Sequence, residues 1–228
     1  MLIITNSIRV FTFFIRLIIK LHFILAVWVA FTSFYFIKYD PPLHSLMIYR
    51  AFISRFDNQQ KKNIKLADLP WYIEYMLIRL EDCNFRKHNG IDIEAMKHAM
   101  EMNKTVGSGS YGGSTITQQL ARTLYLFPDK LYVRKYLEIV IALEMEIFIP
   151  KDRILELYLN NVEWGKGIYG IESASWFYYN KSSIYLSRDQ AARLLTILAS
   201  PIRYSPRTFY TRRLLNIRYN FLSNLLSR

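Results

Sequence analysis

Apart from one long apolar stretch near its amino terminus, the chain sets apolar against polar residues with a helical period, and strand-like alternation is nearly absent. From Val10 to Ile37 almost every residue is apolar, and within Leu21–Ile37 only His22 belongs to a charged residue type. At about 1.5 Å per residue this run reaches about 26 Å. Ile18 and Ile19, with Lys20 extending its ammonium toward the interface, bring it to the hydrocarbon thickness of about 30 Å. The bulky run Phe34-Tyr35-Phe36-Ile37 leads straight into Lys38-Tyr39-Asp40-Pro41-Pro42. That junction suits an uncleaved anchor better than a signal peptide, whose apolar core is shorter and ends at small residues. Trp28, Phe34, Tyr35 and Phe36 suit an interfacial seat. Basic residues flank the span equally, with Arg9, Arg16 and Lys20 before its centre and Lys38, Arg50 and Arg55 after it, so charge does not set its orientation.

Beyond Pro41-Pro42 the pattern predicts a mainly α-helical domain. A helix is expected over 72–80. Thr115-Ile116-Thr117-Gln118 forms a capping box that opens a helix with Ile116, Leu120, Leu124 and Phe127 on one stripe. Residues 133–149 place Leu137, Ile141 and Phe148 together, and Pro150 fits the first turn of a helix that buries Ile154, Leu155, Tyr158 and Leu159. Ser187 with Gln190 is a second capping box, and the helix it opens stops before Pro201. All 8 glycines fall between Gly90 and Gly170, in loops between these helices, where close backbone approach to a ligand is available.

Composition narrows the class. The single Cys excludes a disulfide framework or a multi-thiolate metal cluster, and the formal net charge of +12 favours an anionic partner without choosing among nucleic acid, phosphorylated substrate and bilayer. Four blocks hold the candidate chemistry: Glu81-Asp82-Cys83-Asn84-Phe85-Arg86-Lys87-His88-Asn89-Gly90; Gly112-Gly113-Ser114-Thr115-Ile116-Thr117-Gln118-Gln119-Leu120-Ala121-Arg122; Arg134-Lys135 with Glu138; and Ile154-Leu155-Glu156 through Asn160. Singly, each has an ordinary structural reading: a solvated acidic pair, a well-capped helix, a helical ion pair, a core helix. The two glycines before a helix start nevertheless leave free amides at a positive dipole end, suited to phosphate or sugar oxygens. His88 and His98 lack the helical spacing of a zinc site, so no protein-held metal is expected.

Together and in this order, the blocks resemble the signature motifs of the family 51 peptidoglycan glycosyltransferases: EDxxFxxHxG, GGSTxxQQ, RKxxE and ILExYLN. A fifth block from Gly170 to Lys181 also matches. The segments Ser45–Ile48 and Glu163–Glu172 are similar to the monofunctional, membrane-anchored members. Because the chain ends near the fifth block, no transpeptidase domain is expected to follow. The resemblance implies a lysozyme-like helical domain over 39–228 with a small membrane-facing lobe that includes Tyr111. It also implies a transmembrane anchor over 10–38 and a cytoplasmic segment 1–9, so that the catalytic domain lies on the outer face of a bacterial inner membrane.

The activity it implies is polymerisation of lipid II, in which the acceptor's GlcNAc 4-hydroxyl attacks C1 of the donor's MurNAc with inversion and undecaprenyl pyrophosphate leaves. By motif match, Glu81 is the general base and Glu138 the second carboxylate, which orients cations. Asp82, Phe85, His88, Gly113, Ser114, Thr115, Gln118, Gln119, Arg122, Lys130 and Arg134 are expected to contact substrate. Arg122 and Lys130 reverse the family's usual Lys and Arg, and Thr123 and Asn180 replace a usual Asn and Gly. Both charges survive the reversal, but the donor geometry differs. The resemblance further implies help from Mg²⁺ or Mn²⁺, and partners comprising lipid II, the growing glycan, the membrane and other cell-wall synthesis or division proteins, with no nucleic acid. Each Lys or Arg near an anionic bilayer adds roughly 1 kcal/mol of attraction, which gives the basic excess a purpose. A lysozyme-like hydrolase and a catalytically silent scaffold are the competing readings.

Overall fold

The computed structural model of the chain describes residues 2–106, 112–129 and 131–225. Ten α-helices, four short 3₁₀ helices and one two-stranded hairpin make up its regular structure among these residues, confirming the mainly α expectation. Helix α1 (Leu2–Lys38) contains the apolar span Phe11–Lys38, 28 residues with an 18-residue stretch of mean hydropathy 2.1, long and apolar enough to cross a membrane. Helix α2 (Ser45–Phe52) follows the Pro41-Pro42 corner, with the His44 imidazole accepting from the Met47 amide at its start. Helix α3 (Trp71–Glu81) runs one residue further at each end than the periodicity predicts. Glu81 is therefore its last residue, and Asp82 (φ −161°) turns the chain away.

Helix α4 (Ile93–Val106) begins where Asp92 accepts from the Ala95 amide at 2.9 Å. Helix α5 (Ile116–Tyr125) is the central element. Its Ile116, Leu120 and Ala121 have no exposed surface, and it packs on α2, on α6 (Tyr132–Phe148) and on α7 (Lys151–Asn161). Both predicted capping boxes are present, at Thr115/Gln118 and at Ser187/Gln190, the latter opening α9 (Arg188–Thr196). Pro150 sits one position before the expected one, at the cap itself, where its carbonyl accepts the first helical bond, from Ile154 at 2.9 Å.

Strands β1 (Glu163–Gly165) and β2 (Ile168–Tyr169) pair antiparallel ahead of α8 (Ile171–Tyr179). They escape period-two reading because they are very short and every residue is buried, leaving no polar face to alternate with. Helix α10 (Arg213–Leu225) closes the described chain against α9 and α3.

The anchor is not a detached tether. Val29 has no exposed surface; Trp28 meets the Tyr125 ring edge-on at 5.0 Å; the Thr32 and Tyr125 hydroxyls are 2.7 Å apart. Further down, His22 Nε2 lies 2.9 Å from the Tyr136 hydroxyl. The second half of α1 thus packs on the two helices that carry the second and third motifs. Tyr111 and the glycines at 107 and 109 lie outside the described residues.

Candidate functional site

The first motif is built around an inward-turned carboxylate. Asp82 Oδ2 accepts from the Ile116 amide at 2.9 Å, in the first turn of α5, where the helix dipole favours negative charge. Both Asp82 oxygens also lie 3.0 Å from His88 Nε2. The Thr115 hydroxyl donates to the Gly90 carbonyl at 2.7 Å, which fastens the second motif to the end of the first. Gly90 is required there: its φ is +88°, and a Cβ would stand 2.8 Å from the Ala142 carbonyl oxygen. At Gly113 the constraint is space, since a Cβ would come within 2.8 Å of Met96 Cα on α4.

These contacts sort the expected substrate ligands. Phe85 has no exposed surface and packs in the core, with the Lys151 ammonium 4.5 Å from its ring centre. His88 is committed to Asp82, and its buried Nδ1 has no hydrogen-bond partner among the described residues. Gln118 is fully buried, because its Oε1 accepts from the Thr115 amide at 2.9 Å to complete the capping box. None of the three lines the two cavities described below; their contacts hold the framework. Asp82 and Thr115 reach a cavity wall, yet their polar atoms are spent inside the fold.

Gln119, the neighbour of Gln118, faces the site. Its amide donates to Glu81 Oε2 at 3.1 Å, and its Oε1 accepts from the Tyr158 hydroxyl of α7 at 2.9 Å. Burial, and then the adjacent Glu81 carboxylate, raise the Tyr158 hydroxyl well above its ordinary value, so it stays a protonated donor. Glu81 Oε1 accepts from Arg218, reaching across from α10. With 11% of its side chain exposed, Glu81 opens onto a cavity of about 500 Å³ whose wall includes Cys83, His98, Gly113 and Ser114.

The cationic side lies across Gln119. Gln119 and Tyr158 also line a second cavity of about 350 Å³, together with Arg50, Arg122 and Arg134. Arg122 has no ion-pair partner among the described residues, whereas Arg50 pairs with buried Glu163 at 3.0 Å. Burial raises the Glu163 carboxyl, an effect that Arg50 opposes. Glu138 has no exposed surface and accepts from Arg134 at 2.5 Å and Lys135 at 2.6 Å; Lys135 also donates to the Ser114 hydroxyl at 2.8 Å. Lys130 lies outside the described residues.

Glu81, Gln119, Ser114, Lys135, Glu138 and Arg134 are joined through one chain of hydrogen bonds, and Arg122 lines the second cavity with Gln119 and Arg134. Sequence reasoning missed Arg50 and Arg218; it read Tyr158 as core, which its burial bears out, but did not place its hydroxyl against Gln119. Among the described residues no group of three or more His, Cys, Asp or Glu side chains could hold a metal ion. Glu81 and Glu138 already face guanidinium and ammonium groups, a setting that does not suit them as ligands for a divalent cation.

The sequence profile of the family described as Transglycosylase matches residues 49–224. A protein named biosynthetic peptidoglycan transglycosylase from Janthinobacterium sp. (strain Marseille) is 37% identical over 193 residues, covering 82% of this chain and 80% of that protein. The protein of the same name from Shewanella frigidimarina is 44% identical over 143 residues, 63% of each chain. That from Herminiimonas arsenicoxydans is 48% identical over 128 residues, 56% of this chain and 55% of its own. The matched region spans less than two thirds of the latter two relatives.

Proposed function

The chain belongs to the transglycosylase family, and on that footing we propose that it is a membrane-anchored glycosyltransferase that polymerises lipid II into glycan strands. The supporting observation is that Gln119 joins the two sides: its amide donates to Glu81, the carboxylate that opens onto the first cavity, and with Tyr158 it lines the second cavity beside Arg50, Arg122 and Arg134. In this reading the acceptor's GlcNAc 4-hydroxyl gives its proton to Glu81 as its oxygen bonds to C1 of the donor's MurNAc. The bond from C1 to the diphosphate breaks, and its electron pair leaves with undecaprenyl pyrophosphate. Arg122 and Arg134, with Lys130, stabilise the charge that develops on the leaving group.

Glu138 fixes Arg134 and Lys135 so that these cations are in place before substrate arrives. Lys135 in turn holds the Ser114 hydroxyl at the mouth of α5. Mg²⁺ or Mn²⁺ would enter on the substrate's diphosphate oxygens, and no step here is routed through it. Polymerisation of a lipid-linked donor into wall glycan calls for the domain to lie on the outer face of the inner membrane, with residues 1–9 in the cytoplasm.

The test is incubation of the full chain in detergent with labelled lipid II. Wild type should yield polymer, and Glu81→Gln should lower the rate by about 10²–10⁴, the usual contribution of a positioned base. An unchanged rate in Glu81→Gln would overturn the base assignment. Shortening of preformed glycan without polymer formation would favour a hydrolase, and no reaction of either kind a silent scaffold.

A further inference from the structure

Helix α10 has a buried stripe that an ordinary packing helix would fill with apolar residues. Leu215 and Leu222 have no exposed surface, and Arg218 lies between them at spacings of three and four, on the same face. Its side chain is only 18% exposed and ends on Glu81 Oε1, 137 residues away in sequence. Its Nε is buried without a hydrogen-bond partner among the described residues. A cation in an apolar stripe, with one donor left unsatisfied, costs stability that a leucine at this position would not. That cost calls for a compensating role, and the group that Arg218 grips in the site is the carboxylate read above as the base.

We propose that Arg218 is a positioning residue for Glu81, which makes α10 a working wall of the site. The inference rests on the reading of Glu81 as general base. A carboxylate at the end of a helix can rotate about several bonds; here each oxygen takes one donor from a different element, Oε1 from Arg218 on α10 and Oε2 from Gln119 on α5. Two donors fix the carboxylate plane and leave its remaining lone pairs for a hydroxyl in the cavity. Helix α10 is itself held in place on its other side: the Tyr219 hydroxyl donates to Asp189 Oδ1 at 2.5 Å, and Asp189 Oδ2 accepts from Arg193 on α9 at 2.7 Å. Arg218 thus reaches Glu81 from a braced support.

The experiment compares Arg218→Ala, Arg218→Gln, Arg218→Lys and Glu81→Gln in the full chain, reading lipid II turnover, KM and melting temperature. Arg218→Ala should lose about a hundredfold in kcat, the scale of a misplaced reacting group, with KM near the wild-type value. Free guanidinium, well below denaturing concentrations, should restore much of that loss in Arg218→Ala and none of it in Glu81→Gln. Arg218→Lys should retain more turnover than Arg218→Gln. If Arg218→Ala melts too low to be assayed, the Lys-over-Gln order carries the test. Wild-type turnover in Arg218→Ala overturns the proposal. So does a loss that guanidinium does not recover, or equal loss in the Lys and Gln variants. An active Glu81→Gln would instead show that the base assignment itself had failed.

Discussion

Glu138 offers the sharpest test of how the cationic cleft is held together. Its side chain is 1% exposed and carries two charge-assisted hydrogen bonds, from Arg134 at 2.5 Å and Lys135 at 2.6 Å. Glu138→Gln keeps the shape but turns one acceptor into a donor that faces another donor, and removes the acceptor's charge from the remaining bond. A hydrogen bond to a charged group contributes about 1.5–3 kcal/mol, and a neutral one about half as much. Losing one bond and halving the other therefore amounts to about 2–4 kcal/mol before screening. The partners are 18% and 32% exposed, so each regains some hydration when released, which brings the expected loss to about 2–3 kcal/mol. For a chain of 228 residues that lowers the melting temperature by about 4–12 °C, at about 2–4 °C per kcal/mol.

Turnover should fall as well, because Lys135 links Glu138 to the Ser114 hydroxyl and loses one end of that link. Scanning calorimetry in detergent and the lipid II assay on the same preparation read both effects. A melting point unchanged from wild type would refute the claim that this carboxylate holds the two cations in place.

Two further outcomes concern the frame around the site. Burial, and then the charge of Lys61, hold the His44 imidazole down to about 3 from an ordinary 6.5. The unfolded chain therefore binds a proton below pH 6.5 that the folded chain refuses, so stability is complete above pH 6.5 and is lost as pH falls toward 3. At about 1.4 kcal/mol per pH unit the loss by pH 5 is about 2 kcal/mol; chemical denaturation at pH 7 and pH 5 should show it in wild type, and His44→Asn, which keeps a capping side chain, should flatten it. Gly90→Ala should destabilise by at least about 1–3 kcal/mol and depress turnover, since the positive φ and the 2.8 Å approach to the Ala142 carbonyl leave no room for a methyl group; wild-type melting in that variant would refute the packing argument.

What the sequence discloses about this site follows contact range. The capping boxes at Thr115 and Ser187 involve partners three residues apart and are readable from the sequence alone. Gln119 to Glu81 spans 38 residues and Arg218 to Glu81 spans 137, and no local spacing marks either pairing. Gln118 is decidable in principle. A side-chain oxygen that completes a capping box is already occupied, so only the amide nitrogen of Gln118 is left for another partner. The burial of Phe85 and His88 is not decidable from pattern, because a short loop between helices has no period from which a buried face could be inferred.

The amino-terminal helix shows the same limit on a larger scale, with a consequence for the proposed reaction. Composition draws a boundary at Lys38, where the apolar run stops, and suggests an anchor joined to a separate domain. Packing draws none: Thr32 and Trp28 engage Tyr125 at the end of α5, and the Phe36 carbonyl accepts from Arg153 of α7 at 2.7 Å. Helix α5 carries Ser114 and Thr115 before its first turn and Arg122 in its last, so its distance from the apolar helix is set by side-chain contact rather than by a flexible linker. A donor whose diphosphate stays at the bilayer surface needs its cations at a fixed height above that surface, and a tether of variable length would not provide this. The contacts between α1 and α5 therefore belong to the placement of the reaction as much as to membrane attachment.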